Sequence, residues 1–258
     1  RYINCDLNRC FRDDLLNDES LQDYEVFRAR ELLKNYGPAG ENSCQIALDL
    51  HSTTSGMGTC IVVYGRRFAD LALASLLQSR LGLRVYLHEG DSNQKGFLVE
   101  SWPCGLVIEI GPVAQGMLDA NIINQLKLVL KIFIEEVNTL QIGKTCFPKS
   151  LVIHRHLGSI DYPRSSEGHI EACVHPRLQG SDWETICNGN PLFVKFDGSI
   201  VQYEGNDTLV PVFINEAAYA EKNIAMSFTK REVWDFSRDW HDAINDLFSL
   251  DRFKHAEV

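Results

Sequence analysis

Two hydrophobic periods alternate along the first half of the chain. Val26, Leu32, Leu33 and Tyr36 recur at helical spacing and predict an amphipathic helix over 23–36, stopped by Gly37-Pro38. Short, nearly continuous apolar runs at 44–50, 59–64, 83–88 and 105–110 read as strands, and helical patterns at 68–81 and 119–138 separate or follow them. Strands that are apolar on both faces and alternate with helices imply a sheet covered on both sides. Near residue 145 the texture changes to short strands and turns. "SLVIHRHL", "HIEACVH", "LFVKF", "IVQYEG" and "VPVFI" follow one another, with an Asp197-Gly198 hairpin signal between two of them. The stretch 231–250 returns to helical spacing through Val233, Phe236, Trp240, Ile244 and Leu247. The expected organisation is an α/β domain over 1–144, a smaller β-rich domain over 145–230 and a helical tail over 231–258.

Composition narrows the partners. The 258 residues are 45% hydrophobic and 23% charged, and the net charge is −10. That acidity, with no run of Lys or Arg, argues against a nucleic-acid partner. The longest apolar stretch, "LKLVLKIFI" (126–134), is broken by lysines and too short to span a bilayer, and no stretch reads as a signal peptide. The eight cysteines have neither a C-x-x-C pair nor regular spacing, so reduced thiols in a cytoplasmic protein are expected. A chain that opens on Arg1 rather than Met reads as a fragment or a processed product.

Three polar clusters interrupt this pattern at strand ends or in loops. In "IALDLHSTTSGMG" (46–58), Asp49 and His51 break an apolar strand just before a turn-rich loop. The imidazole is a candidate metal ligand with Asp49 behind it, or else a satisfied histidine at the edge of a core. In "IEIGPVAQG" (108–116), Glu109 interrupts a strand that ends at Gly111-Pro112. A carboxylate in so dry a place has a raised pKa suited to a general base, unless it is paired structurally with an arginine. In "RYINCDLNRCF" (1–11), Arg1, Asp6, Asn8 and Arg9 lie together. The guanidiniums could hold carboxylates bidentately or simply tie down the loop. His154 and His156 could chelate from one strand, although a solvated edge strand is the plainer reading, and His88 reads as a surface histidine at a strand end.

Taken in order, "RYINCDLNR", "DLHSTTSGMG", "IEIGPVAQG", "DYPR", "HPRLQ" and "VFINEAAYAEK" resemble stretches of the aspartoacylase and aminoacylase-3 family of zinc-dependent N-acyl amino acid deacylases, from Arg1 to about Lys222. The resemblance implies a zinc-carboxypeptidase-like α/β/α domain and a β-rich C-terminal domain that narrows the mouth of the active site. It implies that His51 is a zinc ligand, that Glu109 activates the attacking water and that Arg1 polarises the scissile carbonyl. Asn8, Arg9 and Tyr219 would bind the substrate carboxylate. The partner implied is a small N-acyl amino acid, and a homo-oligomer is compatible with it.

The chain departs from the family pattern in two places. Two further zinc ligands belong to a His-Gly-Asn-Glu motif, and no H-x-x-E precedes His51 in this sequence. Aspartate-selective members carry a tyrosine and an arginine ahead of the general base, where the spacing here gives Lys95 and Val99. The reading is therefore a zinc amidohydrolase acting on N-acyl amino acids. A desuccinylase-like activity and a non-catalytic binding module are its rivals.

Overall fold

The computed structural model describes residues 2–90 and 94–254, with side chains through Phe248. A short helix α1 (Asp13–Leu16) and α2 (Tyr24–Tyr36) precede strands β1 (Ile46–Ser52) and β2 (Cys60–Tyr64). Helix α3 (Phe68–Leu81), β3 (Arg84–His88), β4 (Cys104–Ile110) and α4 (Ala120–Gln141) follow. The remainder is β5 (Ser150–Ile160), β6 (Ala172–Val174), β7 (Pro191–Lys195), β8 (Ile200–Gln202), β9 (Val210–Val212), β10 (Met226–Asp235) and α5 (Arg238–Lys254). The periodicity located the strands and helices of the first half to within a few residues.

Seven strands form one sheet in the order β1-β4-β2-β3-β5-β10-β9, and β6-β7-β8 form a second, three-stranded sheet. The large sheet is mixed. β1 runs parallel to β4, but β2 runs antiparallel to β4. Side chains alternate across it with the period of two that a strand imposes. On one face Ile61, Val63, Val85, Leu87, Leu106, Ile108, Leu151 and Ile153 pack with α3, α4 and α5. Helix α3 is apolar nearly all round, because it lies between the sheet and the other two helices, and Ala72, Leu73, Ala74 and Leu77 are fully enclosed. On the opposite face Ala47, Cys60, Val62, Tyr86 and Val107 pack with Val26 and Ala29 of α2, the N-terminal segment, and Trp183, Val212 and Phe213 from the second half. Asp49, His51 and Glu109 share the strand parity of that second face, so it carries the polar cluster.

Three expectations change. Residues 231–235 belong to β10, which pairs along its length with β5, and the helix begins only at Arg238. Val233 matched the helical spacing of Phe236 by chance. It points to solvent, whereas Trp234 packs on the core. His154 and His156 do not sit on a solvated edge, because β5 lies between β3 and β10 and buries both. His88 is buried as well, with its ring 5.1 Å from that of His156. Among the described residues no helix is long and apolar enough to cross a membrane.

Candidate active site

The polar cluster is assembled by strand register. β1 and β4 are parallel neighbours, and His51 lies directly opposite Glu109 at their carboxyl ends. His51 Nδ1 is 3.9 Å from Glu109 Oε1, and His51 Nε2 is 2.7 Å from Asp49 Oδ2. A hydrogen bond from Nε2–H to Asp49 fixes the tautomer that leaves a lone pair on Nδ1, facing Glu109. The two strand ends are stitched together beyond this point. Thr53 N–H donates to Ile110 O at 3.0 Å, and Val113 N–H donates to Thr53 O at 2.9 Å. Only glycine fits at position 111, since a Cβ there would lie 2.3 Å from Thr53 O.

Burial and neighbouring charge tune the cluster. Burial pushes the Glu109 carboxyl up to about 7, the nearby His51 opposes this, and the charges of Glu216 and Asp49 push it further up. Burial pulls the His51 imidazole down, but the hydrogen bond and charge of Asp49, with Glu109 and Asp6, outweigh it and the net shift is upward. A carboxylate that titrates near neutrality is poised to accept and return a proton.

A cleft of about 320 Å³ opens over the cluster, lined by Asn8, Arg9, His51, Glu109, Tyr219 and Lys222 among others. Asn8 and Arg9 lie on a short 3-10 turn, Leu7–Arg9. Asn8 Nδ2 is 3.1 Å from Asp49 Oδ2 and 3.2 Å from His51 Nε2, and Asn8 Oδ1 accepts from Leu98 N–H at 2.6 Å. The Arg9 guanidinium lies 4.0 Å from the centre of the Phe97 ring, which in turn stacks on Tyr64 at 3.8 Å. Tyr219 enters from the second half of the chain. Its burial raises the phenol pKa, so it stays a neutral hydrogen-bond donor. Arg1 lies outside the described residues.

Sequence reasoning gave no role to the lining residues Tyr64, Phe97, Phe213, Glu216 and Lys222. Glu216 and Lys222 lie in the same "VFINEAAYAEK" stretch as Tyr219, so the signal was present but unassigned. Lys95 lines a neighbouring cleft of about 980 Å³ that shares Arg9 and Lys222 with this one. Val99 lines neither. It is fully buried, packed against Gly105, and spacing alone misplaced it in the substrate pocket.

The donor set bears on a metal. His51 offers one imidazole nitrogen backed by a carboxylate, which is the usual arrangement of a ligating histidine. A catalytic zinc takes three protein ligands. Among the described residues no group of three His, Cys, Asp or Glu is placed to hold an ion. The residues present fit one corner of a metal site and do not complete it.

Residues 1–136 match the succinylglutamate desuccinylase/aspartoacylase catalytic domain, and residues 149–231 match the barrel-sandwich hybrid domain of the same family. The chain belongs to that family. A probable aspartoacylase of Prochlorococcus marinus (strain NATL2A) is 55% identical over 247 residues, covering 96% of this chain and 81% of the relative. Murine aminoacylase 3 superposes with a TM-score of 0.83 at 32% identity, over 92% of this chain and 80% of that one. A succinylglutamate desuccinylase from Vibrio cholerae shares the fold, with a TM-score of 0.56 at 16% identity over 90% of this chain and 66% of that one. As a member of the succinylglutamate desuccinylase/aspartoacylase family the chain is a hydrolytic deacylase. The motif resemblance read from the sequence and the zinc-carboxypeptidase-like α/β fold agree with these relatives.

Proposed function

We propose that this deacylase hydrolyses the amide bond of N-acyl amino acids that carry a free α-carboxylate, and that it does so with a zinc ion for which His51 is one ligand. The observation that carries the reading is the pairing of His51 with Glu109 across two strand ends, with the carboxyl pushed to about 7. Glu109 takes a proton from the water that attacks the acyl carbon and delivers it to the departing amine nitrogen. A zinc ion, when bound, acidifies water and polarises the carbonyl. Asp49 holds the His51 ring in orientation through Nε2. Arg9 and Tyr219 receive the α-carboxylate, the guanidinium as a fork and the phenol as a further donor. Phe97 and Tyr64 keep the Arg9 plane fixed and the cleft wall dry.

Glu109→Gln removes the base and keeps the shape. Its kcat on N-acetyl amino acids should fall by about 10²–10⁴-fold with little change in KM. Near-normal turnover in that variant would return Glu109 to a structural role. Faster cleavage of N-succinyl than of N-acetyl amino acids would favour the desuccinylase-like alternative.

A further inference from the structure

Two thiols flank the substrate-binding turn. Cys5 and Cys10 place their Sγ atoms 3.2 Å apart, and Cys10 S–H reaches Asp6 O at 3.3 Å. Cys10 is buried and Cys5 is partly exposed. The backbone holds both ends of the segment. Glu25 of α2 accepts hydrogen bonds from the Ile3, Asn4 and Cys5 amides, and Phe11 N–H donates to Gly96 O at 3.2 Å. Within it, Arg9 N–H donates to Asp6 O at 2.9 Å and Cys10 N–H to Leu7 O at 3.0 Å. The two sulfurs therefore face each other because of the turn that presents Asn8 and Arg9, and not by the chance approach of two flexible side chains.

We propose that Cys5 and Cys10 form a reversible thiol-oxidation site, at which a small peroxide yields a disulfide that clamps the turn bearing Asn8 and Arg9 and slows turnover. The Cys5 sulfur, the accessible one, attacks the peroxide O–O bond, becoming a sulfenic acid and releasing an alcohol or water. The Cys10 sulfur then attacks the sulfenic sulfur, the S–O bond breaks, and the Cys10 proton leaves with the departing hydroxide as water. In sum two thiols and one peroxide give one disulfide, one alcohol (or water) and one water, with two electrons passing from sulfur to oxygen. Burial and the neighbouring Cys5 hold the Cys10 thiol up at about 12, so the first attack falls to Cys5 and Cys10 acts as the resolving thiol.

Closing the pair shortens the sulfur separation to about 2.05 Å. The ring so formed encloses Asp6, Leu7, Asn8 and Arg9, and it takes Cys10 S–H away from Asp6 O. Asn8 is hydrogen-bonded to Asp49 and Leu98 and its amide nitrogen lies 3.2 Å from His51 Nε2, so a shift of the turn reaches the polar cluster directly. Misplacing a positioning group by about 1 Å can cost on the order of 10²-fold in rate.

The test is disulfide mapping of the full chain after brief exposure to hydrogen peroxide, alkylation of free thiols and digestion. The expected result is a tryptic peptide ending at Arg9 joined through Cys5 to the one that begins at Cys10, released by dithiothreitol. Recovery of both thiols alkylated, or of either as sulfonic acid without the joined peptide, would overturn the site. This readout does not depend on which substrate the enzyme takes. Turnover of an N-acetyl amino acid should fall about ten- to a hundredfold on oxidation and return on reduction, while Cys5→Ser and Cys10→Ser keep their activity through the same peroxide treatment. A disulfide without loss of turnover, or an equal and reversible loss in both serine variants, would refute the clamp.

Discussion

Glu216 accepts a hydrogen bond from the Thr53 hydroxyl at 2.5 Å, across 163 positions of sequence. The same Oε2 accepts from Thr54 N–H at 2.8 Å, Thr54 Oγ1 at 3.1 Å and Ser55 N–H at 3.2 Å. Although burial works against ionisation, these donors hold the carboxyl below its usual range. One carboxylate from the second half of the chain thus organises the loop that leaves His51.

Replacing Glu216 by Ala leaves several donors without their acceptor. Hydrogen bonds to a charged group contribute about 1.5–3 kcal/mol, so the urea midpoint should drop by an amount corresponding to roughly 2–3 kcal/mol. Glu216→Gln should recover part of the loss. An unchanged midpoint in Glu216→Ala would mean that the loop holds itself.

His154 gives a pH dependence. Burial, followed by the charges of Arg231 and Arg84, pushes its imidazole down to about 4, and Nδ1 has no hydrogen-bond partner. In the unfolded chain a histidine titrates near 6.5. Between these values the unfolded state binds a proton that the folded state refuses, so this stability is present above pH 6.5 and is lost as pH falls toward 4. His154→Gln should remove up to about 2 kcal/mol of the stability difference between pH 7 and pH 5. Denaturation curves at pH 7 and pH 5 would show it, and parallel losses in both proteins would count against it.

With one imidazole placed for a metal among the described residues, where three ligands are needed, the 258-residue polypeptide should hold zinc weakly. Metal analysis after dialysis should find well under one ion per chain, and His51→Ala should remove what remains. Stoichiometric, tightly held zinc that disappears in His51→Ala would show that further ligands complete the site.

Arg9→Ala should reduce kcat/KM for substrates with an α-carboxylate and leave the matching amide, a poor substrate, little changed. Losing one charged contact of a buried pair costs about 2–5 kcal/mol. Equal losses on the acid and the amide would mean that Arg9 supports the fold rather than the carboxylate.

Side-chain preference should follow the aromatic wall of Tyr64, Phe97 and Phe213. Lys222 is the extra cation in the cleft, but Asp6 lies 3.7 Å away and offsets its charge. N-acetyl-leucine and N-acetyl-tyrosine should therefore be cleaved at least as fast as N-acetylaspartate. A strong preference for N-acetylaspartate would show that Lys222 is released from Asp6 when substrate binds.

The strands, helices and strand-end polar cluster were legible because burial leaves nearly continuous apolar runs in β2, β3 and β4 and a helical period in α2 and α4, and because Asp49, His51 and Glu109 are polar where apolar residues belong. Long-range contacts were not legible. Nothing local says that Glu216 reaches Thr53, or that β5 runs inside the sheet and buries His154 and His156. β10 was half read as helix because a helix and a strand can place the same few apolar residues at compatible spacings. Val99 was misassigned because counting back from Glu109 ignores the turn at 98–101 that carries it into the core.

The division of labour between alternate residues of β1 and β4 limits how this enzyme can change. The odd positions Asp49, His51 and Glu109 form the polar cluster on the cleft side, and the even positions Ile46, Leu48, Leu106, Ile108 and Ile110 pack with α3 and α4, while Leu50 at the end of β1 lines the cleft. Inserting or deleting one residue within either strand would exchange the two sets, placing carboxylates in the oil and leucines in the cleft. Evolution can lengthen or shorten these strands only in pairs of residues or beyond their ends, and length variation among descendants should accumulate in the loops instead.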